Sequence, residues 1–185
     1  MRIINIFSIF IYLLGLVYLL QPIRSLPLLS NAVLSNEPGD TWQNPSQRGF
    51  YTNKTRKEVL EEVQESQIFS VFGYKIPNYR LNYRPEEAHE LVRDQLKSNY
   101  LEEIIYPFHS SLFVNGWEPK KSPAYANKPS KEVPDISIYG VPYEAKITLK
   151  PISSTPISRV IVWTMLFPAS YLVFKSLRLS FSNVK

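Results

Sequence analysis

The sequence predicts an α+β protein. A small mixed helix/strand extramembrane domain is expected between an N-terminal signal-anchor helix and a C-terminal transmembrane helix. Three observations carry this. Apolar runs lie near both ends, Ile3 to Leu20 and Val160 to Phe174. All 16 acidic residues fall between them. The stretch between alternates helical spacing with period-two, aromatic and β-branched spacing. The expected organisation is 1–25 signal anchor or cleaved signal peptide and 26–53 extended lead-in. An α+β domain over 54–155, a transmembrane helix over 156–175 and a basic tail over 176–185 follow.

The first run holds 18 residues and reaches roughly 27 Å as a helix, close to a thin bilayer core. Pro22 ends it. Met1-Arg2 supplies a short basic start, so a cleaved signal competes with an anchor, and Ser25 or Ala32 would close a cleavage site. The run is longer than an ordinary signal core, which favours the anchor. The lead-in that follows carries Pro27, Pro38, Pro45 and the turn-like Glu37-Pro38-Gly39-Asp40.

A helix is expected from Thr55, with Glu58 completing a capping box and Val59, Leu60, Val63 and Gln67 at helical spacing. Ile68 to Phe72 and Tyr79 to Tyr83 read as strands. Pro85, Glu86 and Glu87 then open a second helix. Its apolar stripe runs through Ala88, Leu91, Val92, Leu96, Tyr100, Leu101, Ile104 and Ile105 to a stop at Pro107. Asn115-Gly116 inside Leu112 to Trp117 reads as a type I′ hairpin turn. After a Lys/Pro/Ser-rich loop over 119–134, strands are expected at Asp135–Tyr139 and Tyr143–Leu149, joined at Gly140-Val141-Pro142.

The second apolar run has 15 residues, about 22 Å of helix, with Pro168 inside it. Counting back to Ile157 lengthens it, with Arg159 snorkelling to the headgroups. Trp163 and Tyr171 suit the two interfaces. The competing reading is a buried core helix, against which Lys175 and Arg178 close the segment.

The formal charge of +5 does not mark a nucleic-acid binder. Between Leu26 and Thr155 lie 15 basic against 16 acidic residues, a net of about −1. The other six, Arg2, Arg24, Arg159, Lys175, Arg178 and Lys185, flank the apolar runs, where basic residues meet lipid headgroups. A nucleic-acid binder carries its positive field on the folded body. Arg2 against Arg24 orients the first run with the N-terminus cytosolic; the second is balanced. The body is then lumenal or extracellular and the tail cytosolic. Cleavage of a signal leads to the same placement. Asn53-Lys54-Thr55 is a glycosylation triplet on that side, of a kind that chance also supplies.

Chemistry is mostly excluded. With no cysteine there is no disulfide, thiolate site or Cys nucleophile. His89-Glu90-Leu91-Val92-Arg93 starts like a zinc-protease helix but has Arg93 where the second His must stand. His109-Ser110-Ser111 has no Gly-x-Ser-x-Gly elbow, and neighbours in an extended segment face apart. The pairs Glu61-Glu62, Glu86-Glu87 and Glu102-Glu103 diverge on predicted helices, unlike carboxylates facing across a cleft.

The resulting expectation is a non-enzymatic accessory or scaffold subunit of a membrane complex, without cofactor or metal. Its partners would be the lipid bilayer and other membrane subunits. The endoplasmic reticulum or secretory route is the expected location, with the plasma membrane or mitochondrial inner membrane as alternatives. A membrane-bound enzyme or lipid-handling protein is the alternative function. A sizeable apolar cavity with convergent polar groups would favour it. Trp117 is the candidate contact residue and Asn53 the glycosylation candidate. Arg2, Arg24, Arg159, Trp163, Lys175 and Arg178 are the candidate membrane-interface residues.

Overall fold

The computed structural model describes residues 2–84, 87 and 98–182. The chain is α+β, as expected, and divides into two compact units. One comprises Met1–Ile23, Phe69–Ile76 and Ser154–Lys185, the other Arg24–Ile68 and Pro77–Ser153.

The larger unit is built on six antiparallel strands. These are β1 (Ala32–Leu34), β2 (Arg48–Thr52), β5 (Tyr79–Tyr83), β6 (Tyr100–Tyr106), β7 (Ser110–Trp117) and β10 (Ala145–Ser153), in the order β1-β2-β10-β7-β6-β5. Register puts Phe50, Ile147, Val114, Glu102 and Ile104 on one face. Helix α2 (Arg56–Ser66) covers that face. It begins as predicted: Thr55 and Glu58 cap reciprocally, with the Thr55 amide donating to Glu58 Oε2 at 2.8 Å. Arg56 donates to Glu102 and, at 3.0 Å, to Asn82, and it stacks on the Tyr100 ring. Val59, Leu60 and Val63, buried, continue the same helical stripe. On the other face the hairpin β8 (Ile136–Ile138) and β9 (Val141–Tyr143) packs Ile136 and Ile138 against Tyr51, with Val33, Trp117 and Tyr143 around them.

Four expectations give way here. The second predicted helix fails at its C-terminal end, because Tyr100 to Tyr106 is strand β6, the partner of β5 and β7. Glu102, expected on that helix, is a buried strand residue, neutralised by Arg56 and by Arg80 at 3.2 Å. Tertiary pairing and two cations outweigh the helical spacing of the apolar residues. Residues 85, 86 and 88–97 of that segment, with His89, Glu90 and Arg93, lie outside the described residues. The Asn115-Gly116 turn is absent as well. Those residues sit inside β7, and Gly116 is required because the Tyr100 ring occupies the space of a Cβ. The turn falls instead at 107–109, where Phe108 has φ +57°.

The Ile68 to Phe72 strand shrinks to β3 (Ser70–Val71), paired with β4 (Tyr74–Lys75) across Phe72-Gly73. Both turn residues have positive φ, +50° and +83°. The same two-residue geometry recurs at Tyr139-Gly140, between β8 and β9. The last strand is displaced and longer than expected. Pro151 is tolerated in it because pairing with β2 stops at Leu149↔Arg48, while pairing with β7 runs on to Ser153↔Ser110.

The smaller unit holds α1 (Arg2–Leu19), the β3–β4 hairpin and α3 (Pro156–Ser182). Pro156 opens α3, where its missing N–H costs no helical bond, and the Thr155 hydroxyl accepts the Ser158 amide at 3.2 Å. The helices run antiparallel: Gly15 meets Trp163, while Tyr12 meets Thr164 and Phe167. Gly15 permits this approach, since a Cβ would overlap the Trp163 indole. Among the described residues one helix, over Pro156–Leu177, is long and apolar enough to cross a membrane. The apolar part of α1, Ile6–Leu19, is shorter.

The Gly116 contact leads to a stability prediction. Gly116→Ala should lower the unfolding free energy by about 1–3 kcal/mol in urea titrations. Gly39→Ala, where a Cβ meets nothing within 4 Å, should change it by less than about 0.5 kcal/mol.

Candidate functional site

Two constellations converge in space, one in each unit. In the larger unit, Lys146 lies on β10 directly opposite Tyr51 of β2. Its ammonium is 2.7 Å from Glu37 Oε2 and 2.7 Å from Asp40 Oδ2. Ser35 donates to the same Asp40 oxygen at 2.6 Å, and Tyr51 donates to Glu37. Gly49 leaves room for the Asp40 carboxylate, which a Cβ would overlap.

The electrostatics argue against catalysis by this group. Burial alone would lower the Lys146 pKa, but its hydrogen bonds to Asp40 and Glu37 outweigh burial and hold it above the ordinary 10.5. A lysine nucleophile needs the opposite shift. Burial would raise Glu37, yet hydrogen bonds from Lys146 and Tyr51 hold it below 4.5. Burial pushes the Tyr51 hydroxyl up, and its hydrogen bond to Glu37 adds to the rise. The cluster is a clamp that fastens the Glu37–Asp40 turn of the lead-in to the sheet.

His109 Nδ1 lies 3.0 Å from Ser110 Oγ, so the tight turn brings together two side chains that an extended segment would part. The imidazole is buried, and Ser110 is paired on both sides, with Tyr106 and Ser153. That is not the exposed, strained elbow from which a serine attacks. Among the described residues no group of three or more His, Cys, Asp or Glu could hold a metal ion.

The second constellation is a cavity of about 640 Å³ in the smaller unit. Its walls are Phe10, Ile11, Leu14 and Tyr18 of α1, Val71, Phe72 and Tyr74 of the hairpin, and Trp163 of α3. The lining is almost wholly apolar. One turn before Trp163 on the same face of α3 stands Arg159. It is 4 % exposed, and its Nε and Nη1 have no hydrogen-bond partner.

The other predicted site residues are dispersed. Asn53 is exposed, and its Oδ1 accepts the Glu144 amide at 2.9 Å. Trp117 is half-buried in the cluster beneath β8 and β9, whereas the exposed indole is that of Trp42, at 74 %. Arg24 is exposed and reaches the Ser66 carbonyl at 3.5 Å. Arg159 is buried, although the sequence placed it at a lipid interface. Trp163 is half-buried and donates to the Tyr12 carbonyl at 3.1 Å, and Lys175 is exposed. Nothing is described of the side chains of Arg2 and Arg178.

No known protein family, characterised protein or solved structure matches the chain.

The clamp sets a pH window. A carboxyl held low contributes stability above its unfolded value and loses it as pH falls through the folded value. An amine held high contributes below its unfolded value and loses it as pH rises through the folded one. The contribution is thus full between about 4.5 and 10.5. Lys146→Met strands the buried Asp40 and should cost about 3 kcal/mol at pH 7. In chemical denaturation across pH, that difference should shrink in acid below the window. A difference flat down to pH 2 would rule out the ionic clamp.

Proposed function

We propose that the chain is a non-enzymatic, membrane-anchored accessory or scaffold subunit, with the larger unit, Arg24–Ile68 and Pro77–Ser153, as its lumenal or extracellular contact module. The observation that carries the reading is the exposure of α3. Of its most apolar 18-residue window only 6 % is buried. A core helix of a soluble domain hides its apolar side chains; α3 presents Ile157, Met165, Val173 and Phe174 outward, each more than half exposed. Such a surface is unfavourable in water at about 25 cal/mol per Å² and is at home in hydrocarbon. Ile6, Phe7, Ile9 and Phe10 of α1 are exposed in the same way. That supports a second membrane-embedded segment, shorter than a full span.

The contact-module part rests on chemistry. Lys146 is fixed in a fully paired cluster, and Glu102 is held between two arginines. Both side chains are taken up by structural ion pairs. Trp42 and Tyr139, each more than 70 % exposed, offer large amphipathic contact area of the kind that dominates interfaces. The lipid-handling alternative is favoured by one observation, the apolar cavity. Its lining lacks the convergent polar groups that chemistry on a lipid requires, so this reading reduces to binding.

Anchoring is tested by alkaline carbonate extraction, after which the protein should stay in the pellet. Release into the supernatant would sink the reading. Met165, exposed and near the middle of the Pro156–Leu177 stretch, sharpens the test. Met165→Arg costs about 2.5–3.5 kcal/mol near the centre of a span and should block insertion, whereas Met165→Leu should not.

Sidedness has its own readout. Protease outside sealed microsomes should spare Glu58 to Lys150 and remove a tag placed after Lys185. Loss of the body with retention of the tag would invert the topology and make the partners cytosolic.

A further inference from the structure

We propose that the cavity beside α1 holds one acyl chain of a bilayer phospholipid, whose phosphate pairs with the buried guanidinium of Arg159. The inference rests on the membrane-anchoring reading and assigns it a specific lipid site.

The first support is an unsatisfied charge. Arginine stays ionised, and a buried cation without a partner costs several kcal/mol. Arg159 is 4 % exposed with Nε and Nη1 unpaired. The unit that contains it offers nothing to neutralise it. Residues 1–23, 69–76 and 154–185 include six lysines and arginines, Arg2, Lys75, Arg159, Lys175, Arg178 and Lys185, and no acid. The anion must come from outside this unit. A guanidinium's parallel donors match a phosphate in two-bond geometry.

The second support is where that charge stands. Arg159 lies one helical turn from Trp163, which lines the cavity, and its charge acts on Tyr18, which also lines it. Burial of the Tyr18 ring places that wall inside the unit rather than on its rim. Arg159 is not itself a lining residue; it stands one turn from Trp163, so an apolar cavity and an unpaired cation adjoin along α3. This is the pattern of an amphiphile with a long tail and an anionic head. The volume of about 640 Å³ falls in the ~300–1,000 Å³ range of ligand sites. Basic pockets between membrane helices are known to take phosphate headgroups. A free phosphate would satisfy Arg159 but leave the apolar walls unfilled, and a diacylglycerol would do the reverse.

The test uses the full chain in mild detergent, supplied separately with phosphatidylglycerol, diacylglycerol of the same chains, or inorganic phosphate, and read by native mass spectrometry. The wild-type protein should retain one phosphatidylglycerol at least tenfold better than diacylglycerol, and no inorganic phosphate. Arg159→Gln should bring the two lipids to equal, weak retention, and Arg159→Lys should restore part of the preference. Leu14→Trp, which fills the cavity without touching the charge, should abolish retention of both. Equal retention of the two lipids by wild type, or binding of inorganic phosphate alone, overturns the proposal. So does retention of phosphatidylglycerol by Leu14→Trp at the wild-type level. Carbonate extraction of the wild type separates the two failures. A pelleted protein that shows no lipid preference loses this site and keeps its anchor, and a released protein loses both.

Discussion

The larger unit depends on the insertion of β10 between β2 and β7. Five of its residues pair with β2 and eight with β7. Without it the sheet is two fragments, β1–β2 and β5–β6–β7. Its inward residues Ala145, Ile147 and Leu149 are fully buried, and its outward Lys146 anchors the clamp over Glu37 and Asp40. Strand β10 thus supplies the core, the ionic fastening of the lead-in and, three residues beyond Ser153, the start of α3. No other described element serves all three.

Local signals in the sequence were legible where the chain's own chemistry decides the outcome. Thr55 and Glu58 cap α2 because the partners are three residues apart, and the end of α1 before Pro22 needs no tertiary information. The strand at Tyr79–Tyr83 follows from alternation. What was hidden depends on distant partners. Glu102 becomes a strand residue once Arg56 and Arg80 neutralise it. Gly116 is a packing glycine because Tyr100 lies opposite, and Asn115-Gly116 mimics a turn motif that this environment overrides. The Phe72-Gly73 turn was missed, and the join expected at Gly140-Val141-Pro142 falls at Tyr139-Gly140, because an aromatic residue at positive φ is an unusual first turn residue.

The candidate sites show the same division. Charge segregation along the chain was visible from counting, and it underlies the isolation of Arg159. The cavity was not visible, since Leu14, Val71 and Trp163 are distant in sequence and only the close approach at Gly15 brings the helices together. The Lys146 cluster joins residues about a hundred positions apart. A single small residue at position 15 and a run of acid-free sequence were the available traces of each arrangement.

The position of β10 also orders events in time during synthesis. At about 5–20 residues per second, the stretch between Thr52 and Ala145 takes on the order of 5–20 s to make. Through that interval β2 presents an open edge, joined by β7 once Trp117 has been made, the state most exposed to wrong pairing with other chains. The β6–β7 hairpin is local and closes early; the full sheet waits for almost the last residues before α3. Domain closure and the emergence of the most apolar helix are therefore events of the same few seconds, and a nascent chain stalled before Ala145 lacks both the closing strand and that helix.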